Sequence, residues 1–259
     1  MLIVSVLYFV SYIIFLENNL AITKIVFFVL IILLTSIRKR YMIANNNGKI
    51  SVLMATYNTP FKMSKRAIDS VLNQDYQNFE LIILDDGSNI HIGNLLLEYT
   101  NIFENKISYF RHKNIGQSNT INIGINLCKG SYVSIIDADD EYKSNHLSTC
   151  LQAMETNDLI ATHTETIVDI YDDYFVPDKY DTNNNIHIDD CILFATLFGK
   201  KEVFQNILFK NMYAADSEFF EQASKTYKVE KLSTRTYIYY RDHENSLTAS
   251  LKKRQLSLS

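Results

Sequence analysis

The chain is short of three things, and each shortage removes a class of answers. Only two of its 259 residues are proline, while 47% are hydrophobic and 12% aromatic. That composition excludes a disordered chain and supplies enough apolar side chain for one large domain or two small ones. Three cysteines, Cys128, Cys150 and Cys191, form an odd set without a CxxC pair, which argues against a disulfide framework or a thiolate zinc site and for reduced, buried thiols. Basic residues are in deficit, 25 against 29 acidic ones for a net charge of −4. With no surplus to neutralise a phosphate backbone, the chain is not a general nucleic-acid binder.

Charge is missing altogether from Met1 to Leu16, and after the break Glu17-Asn18-Asn19 the stretch Leu20 to Ile37 carries one charged residue, Lys24. As a helix the second stretch spans about 27 Å, close to the hydrocarbon thickness of a bilayer. Arg38-Lys39-Arg40 follow at once, and a basic cluster at the end of an apolar helix stays on the cytoplasmic side. Residues 1–40 therefore read as a membrane anchor, one helix or a helical hairpin, in a cell inner membrane or plasma membrane with the rest of the chain in the cytoplasm. Core helices of a soluble domain are the alternative. No basic residue precedes the first run and no small-residue cleavage site follows either run, so a secretory signal peptide fits poorly. Residues 41–49, with Asn45-Asn46-Asn47-Gly48, read as a polar linker, residues 50–250 as the globular domain, and residues 251–259 as a basic tail.

From Ile50 onward, strand and helix patterns alternate. Ile50 to Ala55 is a short apolar run ending in a Thr56-Tyr57-Asn58-Thr59-Pro60 turn. Met63, Ala67, Ile68, Val71 and Leu72 recur at helical spacing. Phe79 to Leu84, Ile107 to Phe110 and Tyr132 to Ile136 read as further strands, and Leu95 to Phe103 and Thr120 to Leu127 as helices. The order implies an α/β fold, a mostly parallel sheet with helices on both faces, in which ligands bind beyond the carboxyl ends of the strands.

Two of those ends are acidic: Asp85-Asp86-Gly87-Ser88 and Asp137-Ala138-Asp139-Asp140. Carboxylates gathered on one edge repel one another and need a divalent cation or ligand donors. In an extended segment Asp137 and Asp139 share a side while Asp140 faces elsewhere. One such cluster alone is more often an Asx-turn or helix cap; two at two strand ends favour a site.

These segments, with Ser51 to Asn58, Ser70-Val71-Leu72-Asn73-Gln74, Asn114-Ile115-Gly116, Lys129-Gly130-Ser131-Tyr132, Ala215 to Phe220 and Tyr240 to Ser246, occur in the order found in glycosyltransferase family 2, which residues 49–250 resemble. The resemblance implies a Rossmann-like GT-A fold and inverting transfer of a sugar from a nucleotide-diphosphate donor, a UDP-sugar. It implies a glycan or lipid-linked acceptor in surface polysaccharide synthesis and a manganese or magnesium ion. By the same resemblance Ala55, Thr56 and Tyr57 edge the nucleotide pocket, Asp86 accepts from a uracil-type ring N–H, and Asp137 holds the ribose. Asp139 and His243 ligate the metal, and Asp216 is the general base.

Each role has a plainer rival. Asp216 stands where a helix N-cap would, and His243 reads equally as a surface or core histidine. Tyr237, Tyr239 and Tyr240 read as strand, and His91, His112, His146, His163 and His187 lack ligand spacing. The chain also departs from the family pattern. Ile121 replaces an arginine common before Asn-x-Gly, Ala215 replaces a frequent glutamate before the base, and the acidic stretch Asp169 to Asp190 matches nothing, although acceptor specificity usually lives there. A polyprenyl-phosphate acceptor, or a nucleotide-sugar-binding membrane protein without turnover, are the rival functions.

Overall fold

A computed structural model of the chain describes residues 27–34, 48–181 and 183–241. The chain divides into two compact units, Met1–Asn47 and Gly48–Ser259. In the first, residues 27–34 are helical, with Phe27 and Phe28 exposed. Among the described residues no helix is long and apolar enough to cross a membrane; the first apolar run, most of the second, and the residues around both ends of the globular unit, His243 included, lie outside the described set.

The second unit is built on an eight-stranded sheet. Its centre is β1 (Ile50–Thr56), whose almost unbroken apolar run suits a strand covered on both faces. It pairs in parallel with β2 (Phe79–Asp85) on one side and β4 (Tyr132–Asp137) on the other, and β3 (Ile107–Arg111) extends the sheet beyond β2. The register sets Ala55 opposite both Leu84 and Asp137, and Thr56 opposite Asp85, so three carboxyl ends finish level on one edge.

Past β4 the direction changes. The strand β9 (Leu197–Lys200) runs antiparallel to β4 and also to β6 (Leu159–Ile167), which puts β6 parallel to β4 one strand away. The long β10 (Val229–Tyr240) lies parallel to β6, with an irregularity between Leu232 and Tyr237, and the two-residue β5 (Glu141–Tyr142) closes the edge. A separate two-stranded ribbon pairs β7 (Phe175–Pro177) with β8 (Asn185–His187).

Two cores cover the two faces. Against one lie α1 (Phe61–Leu72), α2 (Ile90–Asn101) and α4 (His146–Ala153), through Ala67, Ile68, Val71, Leu96, Leu147 and Cys150. Against the other lie α3 (Gln117–Leu127), α5 (Lys201–Asn206) and α6 (Ala215–Ser224), through Ile121, Ile125, Val203, Phe204, Phe219 and Ala223. Ile121 is fully buried; packing occupies the position where many relatives of the resembled family carry arginine. All three cysteines are free. Burial pushes the Cys128 thiol up to about 12 and the half-buried Cys191 to about 11, leaving both as inert thiols at neutral pH.

Candidate functional site

The acidic turn after β2 is satisfied by its own chain. Asp85 is fully buried; one carboxylate oxygen accepts from the Ser88 N–H at 2.7 Å, the other from the Tyr109 hydroxyl at 2.5 Å with Arg111 Nε at 3.8 Å. Asp86 accepts from the Ile115 N–H at 2.7 Å and the Gly116 N–H at 2.9 Å, with His112 Nδ1 at 3.5 Å. Asp86 thus ties down the loop that leads into α3, a role that spacing alone did not suggest. Each of its oxygens keeps a second lone pair, the capacity a ring N–H would need. Gly87, with φ at 82°, makes the turn possible, since a Cβ there would meet the Asn114 nitrogen at 2.8 Å.

Beside it, the end of β1 presents Ala55 half-buried, Thr56 buried and Tyr57 54% exposed. The Thr56 hydroxyl is buried with no partner among the described residues, an unusual state for a hydroxyl next to an open edge. Asn58, at φ 54°, donates its N–H to Ser88 Oγ at 2.9 Å and accepts from the Asn89 N–H at 2.8 Å, which joins the first and second strand ends.

The turn after β4 is built differently. Asp140 is 1% exposed and turned inward, where its carboxylate accepts from the Tyr237 hydroxyl at 2.6 Å and the Tyr240 N–H at 2.9 Å. Asp137 and Asp139 remain half-buried. Among the described residues the side-chain donor to the Asp137 carboxylate is Gln117 Nε2, at 2.8 Å. Burial, then the negative charge of Asp139 and of Asp216, push the Asp137 carboxyl up to about 7. Three carboxyl groups from two distant segments therefore share one electrostatic neighbourhood, with Lys179 as the cation acting on Asp216.

Asp216 enters that neighbourhood from α6. The helix is capped by Ala214, in the left-handed region at φ 54°, with no side-chain cap bond. Asp216 is the second helical residue, so it is not the N-cap. Its carboxylate accepts from the Ser217 N–H at 2.8 Å, and burial pushes it up to about 6 against those backbone donors and the pull of Lys179. A carboxyl held near 6 is ionised yet still basic at neutral pH, the condition for a general base.

The acidic stretch Asp169 to Asp190 forms the β7–β8 ribbon and packs onto α6. Lys179 lies 2.5 Å from Glu221 and donates to Ser217 Oγ at 3.4 Å, while the Tyr180 hydroxyl donates to Glu221 at 2.8 Å. At its end Asp189 pairs bidentately with Arg235, at 2.6 and 3.0 Å, a structural tie. Gln117 and Lys179 were not singled out by sequence reasoning, and Tyr237 was read only as part of a strand. Only Gln117 carried a local sign, directly after Gly116 at the start of a helix on the acidic edge.

Asp137 and Asp139 are oxygen donors suited to a hard cation. Among the described residues no three His, Cys, Asp or Glu side chains gather to hold a metal. A magnesium-like ion bound through a nucleotide's phosphates needs only one or two protein carboxylates and keeps several waters, so the residues present fit such an ion and do not form a closed protein cage.

With this geometry in view, the comparisons with known proteins are specific. Residues 51–213 match the family model for glycosyl transferase family 2. An uncharacterized glycosyltransferase of Rickettsia bellii is 35% identical over 137 residues, covering 50% of this chain and 19% of that protein. Glycosyltransferase GlyG of Streptococcus pneumoniae is 34% identical over 110 residues, covering 42% of this chain and 36% of that protein. This chain thus spans well under half the length of both relatives. Among solved structures, residues 1–349 of S. aureus TarS in complex with UDP-GlcNAc superpose with a TM-score of 0.60 at 19% identity, over 78% of this chain and 60% of that one. The mannosyltransferase PcManGT from Pyrobaculum calidifontis, in complex with GDP-Man and Mn2+, gives 0.60 at 15% identity, over 80% and 60%. At such identities the two structures establish a shared GT-A-like fold. The family model covers more than half of the sequence, and the chain belongs to glycosyltransferase family 2.

Proposed function

We propose that the chain is a membrane-anchored inverting glycosyltransferase that moves a sugar from a nucleoside-diphosphate donor, a UDP-sugar, to a hydroxyl of a glycan or lipid-linked acceptor. The observation that carries this reading is the gathering of the Asp137, Asp139 and Asp216 carboxyls in one electrostatic neighbourhood by the carboxyl edge of the sheet. In the reading, Ala55, Thr56, Tyr57 and Asp86 line the nucleotide pocket, the unpartnered Thr56 hydroxyl being available to a ligand, and Asp137 holds the ribose. Asp139, with His243 beyond the described residues, would hold a manganese or magnesium ion, which supplies positive charge to the diphosphate as it leaves. Asp216 removes the proton from the acceptor hydroxyl, whose oxygen attacks the anomeric carbon as the bond to the diphosphate breaks on the opposite face. The proton ends on Asp216, and no covalent enzyme intermediate forms.

TarS and PcManGT were crystallised with UDP-GlcNAc and with GDP-Man and Mn2+, which supports a nucleotide-sugar donor and a divalent cation by similarity of fold. The anchor rests on the apolar residues 1–40 and their basic flank, and makes an acceptor at the membrane the natural partner. A thermal-shift panel of nucleotide sugars with and without manganese tests the reading, since a ligand that binds only the native state raises its stability. A UDP-sugar should raise Tm in the presence of manganese; a chain stabilised by no nucleotide sugar would refute the reading.

A further inference from the structure

We propose that Tyr237 is a positioning residue for the donor site, its single hydroxyl holding both ends of the Asp137–Asp140 turn in the shape that presents Asp137 and Asp139. The inference rests on the reading of that turn as the donor site and deepens it. The Tyr237 oxygen donates its proton to the Asp140 carboxylate at 2.6 Å and accepts the Asp137 N–H at 3.2 Å. The Asp140 N–H folds back on the Asp137 carbonyl at 3.2 Å, so one phenol closes a ring of contacts around the turn. The second Asp140 oxygen is taken by the Tyr240 N–H at 2.9 Å, from the same strand three residues on.

The other side of the turn is held as well. Arg66 on α1 donates to the Asp139 carbonyl, and its guanidinium lies 3.6 Å from the centroid of the Tyr240 ring. The turn is thus gripped at the Asp137 N–H, the Asp139 carbonyl and the Asp140 carboxylate, while the Asp137 and Asp139 carboxylates are left for a ligand. Tyr237 touches neither of them and acts through the backbone and Asp140.

The phenol is itself immobilised. Tyr237 is 1% exposed and stands edge-on to Tyr142, with centroids 5.6 Å apart at 69°, and to His146, 6.1 Å apart at 70°. Tyr142 stacks on His146 at 3.9 Å, and His146 Nδ1 lies 2.8 Å from Thr236 Oγ1. A close-packed aromatic group of this kind holds its side chains in rotamer minima, so the position of the hydroxyl is set by the core and passed to the turn. Residues that orient the groups touching a ligand are commonly worth about ten- to a hundredfold in affinity.

The test compares Tyr237→Phe with Tyr142→Phe in the full chain. Tyr142 loses a buried hydroxyl from the same aromatic group, one bonded to the Ile135 carbonyl at 2.6 Å and not to the turn. Calorimetric titration with UDP in the presence of manganese should give a dissociation constant roughly ten- to a hundredfold weaker for Tyr237→Phe and within about twofold of the parent for Tyr142→Phe. Amide exchange should speed up across Asp137–Asp140 in the first variant and not in the second. Parental UDP affinity and parental exchange in Tyr237→Phe would overturn the proposal, as would equal losses in both variants, which would mark a general packing effect. If Tyr237→Phe does not fold, Asp140→Asn replaces it, and parental affinity and turn exchange there overturn the proposal equally. A parent that binds no UDP defeats the donor reading on its own; the exchange measurement still decides the clamp.

Discussion

Two acidic turns stand side by side on the sheet edge, and they put the same residue type to opposite uses. After β2, every carboxylate oxygen of Asp85 and Asp86 has a donor from the chain: Ser88, Tyr109, Ile115 and Gly116. After β4, only Asp140 is treated that way, by Tyr237 and Tyr240, while Asp137 has one amide donor and two negative neighbours. The first turn is fastened into the fold, with one lone pair on each Asp86 oxygen left for a ligand. The second gathers like charge around Asp137, and such a place is where a cationic or hydrogen-bonding ligand gains most. Acidity of a turn therefore says less about function than whether its carboxylates already have partners.

The largest effect should come from Asp216, the neighbour of Asp137 from the other segment. Asp216→Asn removes proton acceptance and keeps size, so sugar transfer should fall on the order of a hundred- to ten-thousandfold, about 3 to 5 kcal/mol, while donor affinity measured by calorimetry stays parental. Near-parental transfer would favour an acceptor already ionised, such as a polyprenyl phosphate, and end the assignment of Asp216 as base.

Asp85→Ala should do the reverse. It strips the Tyr109 hydroxyl, the Ser88 N–H and Arg111 of a buried acceptor, a loss of about 3 kcal/mol. In a domain of this size that lowers Tm by roughly 6 to 12 °C, read by circular dichroism. An unchanged Tm would mean the first turn is not the structural one.

A smaller effect separates the turns by pH. The Asp137 and Asp216 carboxyls titrate near 7 and 6 in the folded protein, above the roughly 3.9 of an unfolded aspartate. The folded state therefore binds more protons than the unfolded state between those values. Stability of the ligand-free protein should fall as pH rises from about 4 to 7 and level off above. Asp137→Asn should flatten that slope and raise stability at pH 8, checked by urea unfolding at several pH values. An unchanged or steeper slope in the variant would remove Asp137 as its source.

Much of this was legible beforehand. Buried parallel strands announce themselves as short apolar runs, and β1, β2, β3 and β4 differ from the sequence expectation by no more than a terminal residue. Helix starts were less visible, because local hydrogen bonding and backbone conformation set them. α2 begins at Ile90, ahead of its expected start at Leu95, with the Asn89 side chain accepting from the Ile92 N–H at 3.0 Å. α3 begins at Gln117 and not Thr120, since Gly116 at φ 88° ends the loop there. What stayed hidden is the partnering of carboxylates. Tyr237 meets Asp140 across 97 positions of chain and Asp86 meets Ile115 across 29, and no local periodicity encodes such contacts. The same holds for the Asp169 to Asp190 stretch, whose ribbon is fastened by Tyr213 to the Pro177 carbonyl at 2.7 Å and by Lys179 to Glu221.

The most direct test of the contrast is a calorimetric titration of UDP into the parent and into Asp139→Ala, each with and without manganese. The account predicts that manganese tightens UDP binding to the parent and has no such effect on Asp139→Ala, whose neighbouring first turn is intact. Equal metal dependence in the two proteins would contradict it.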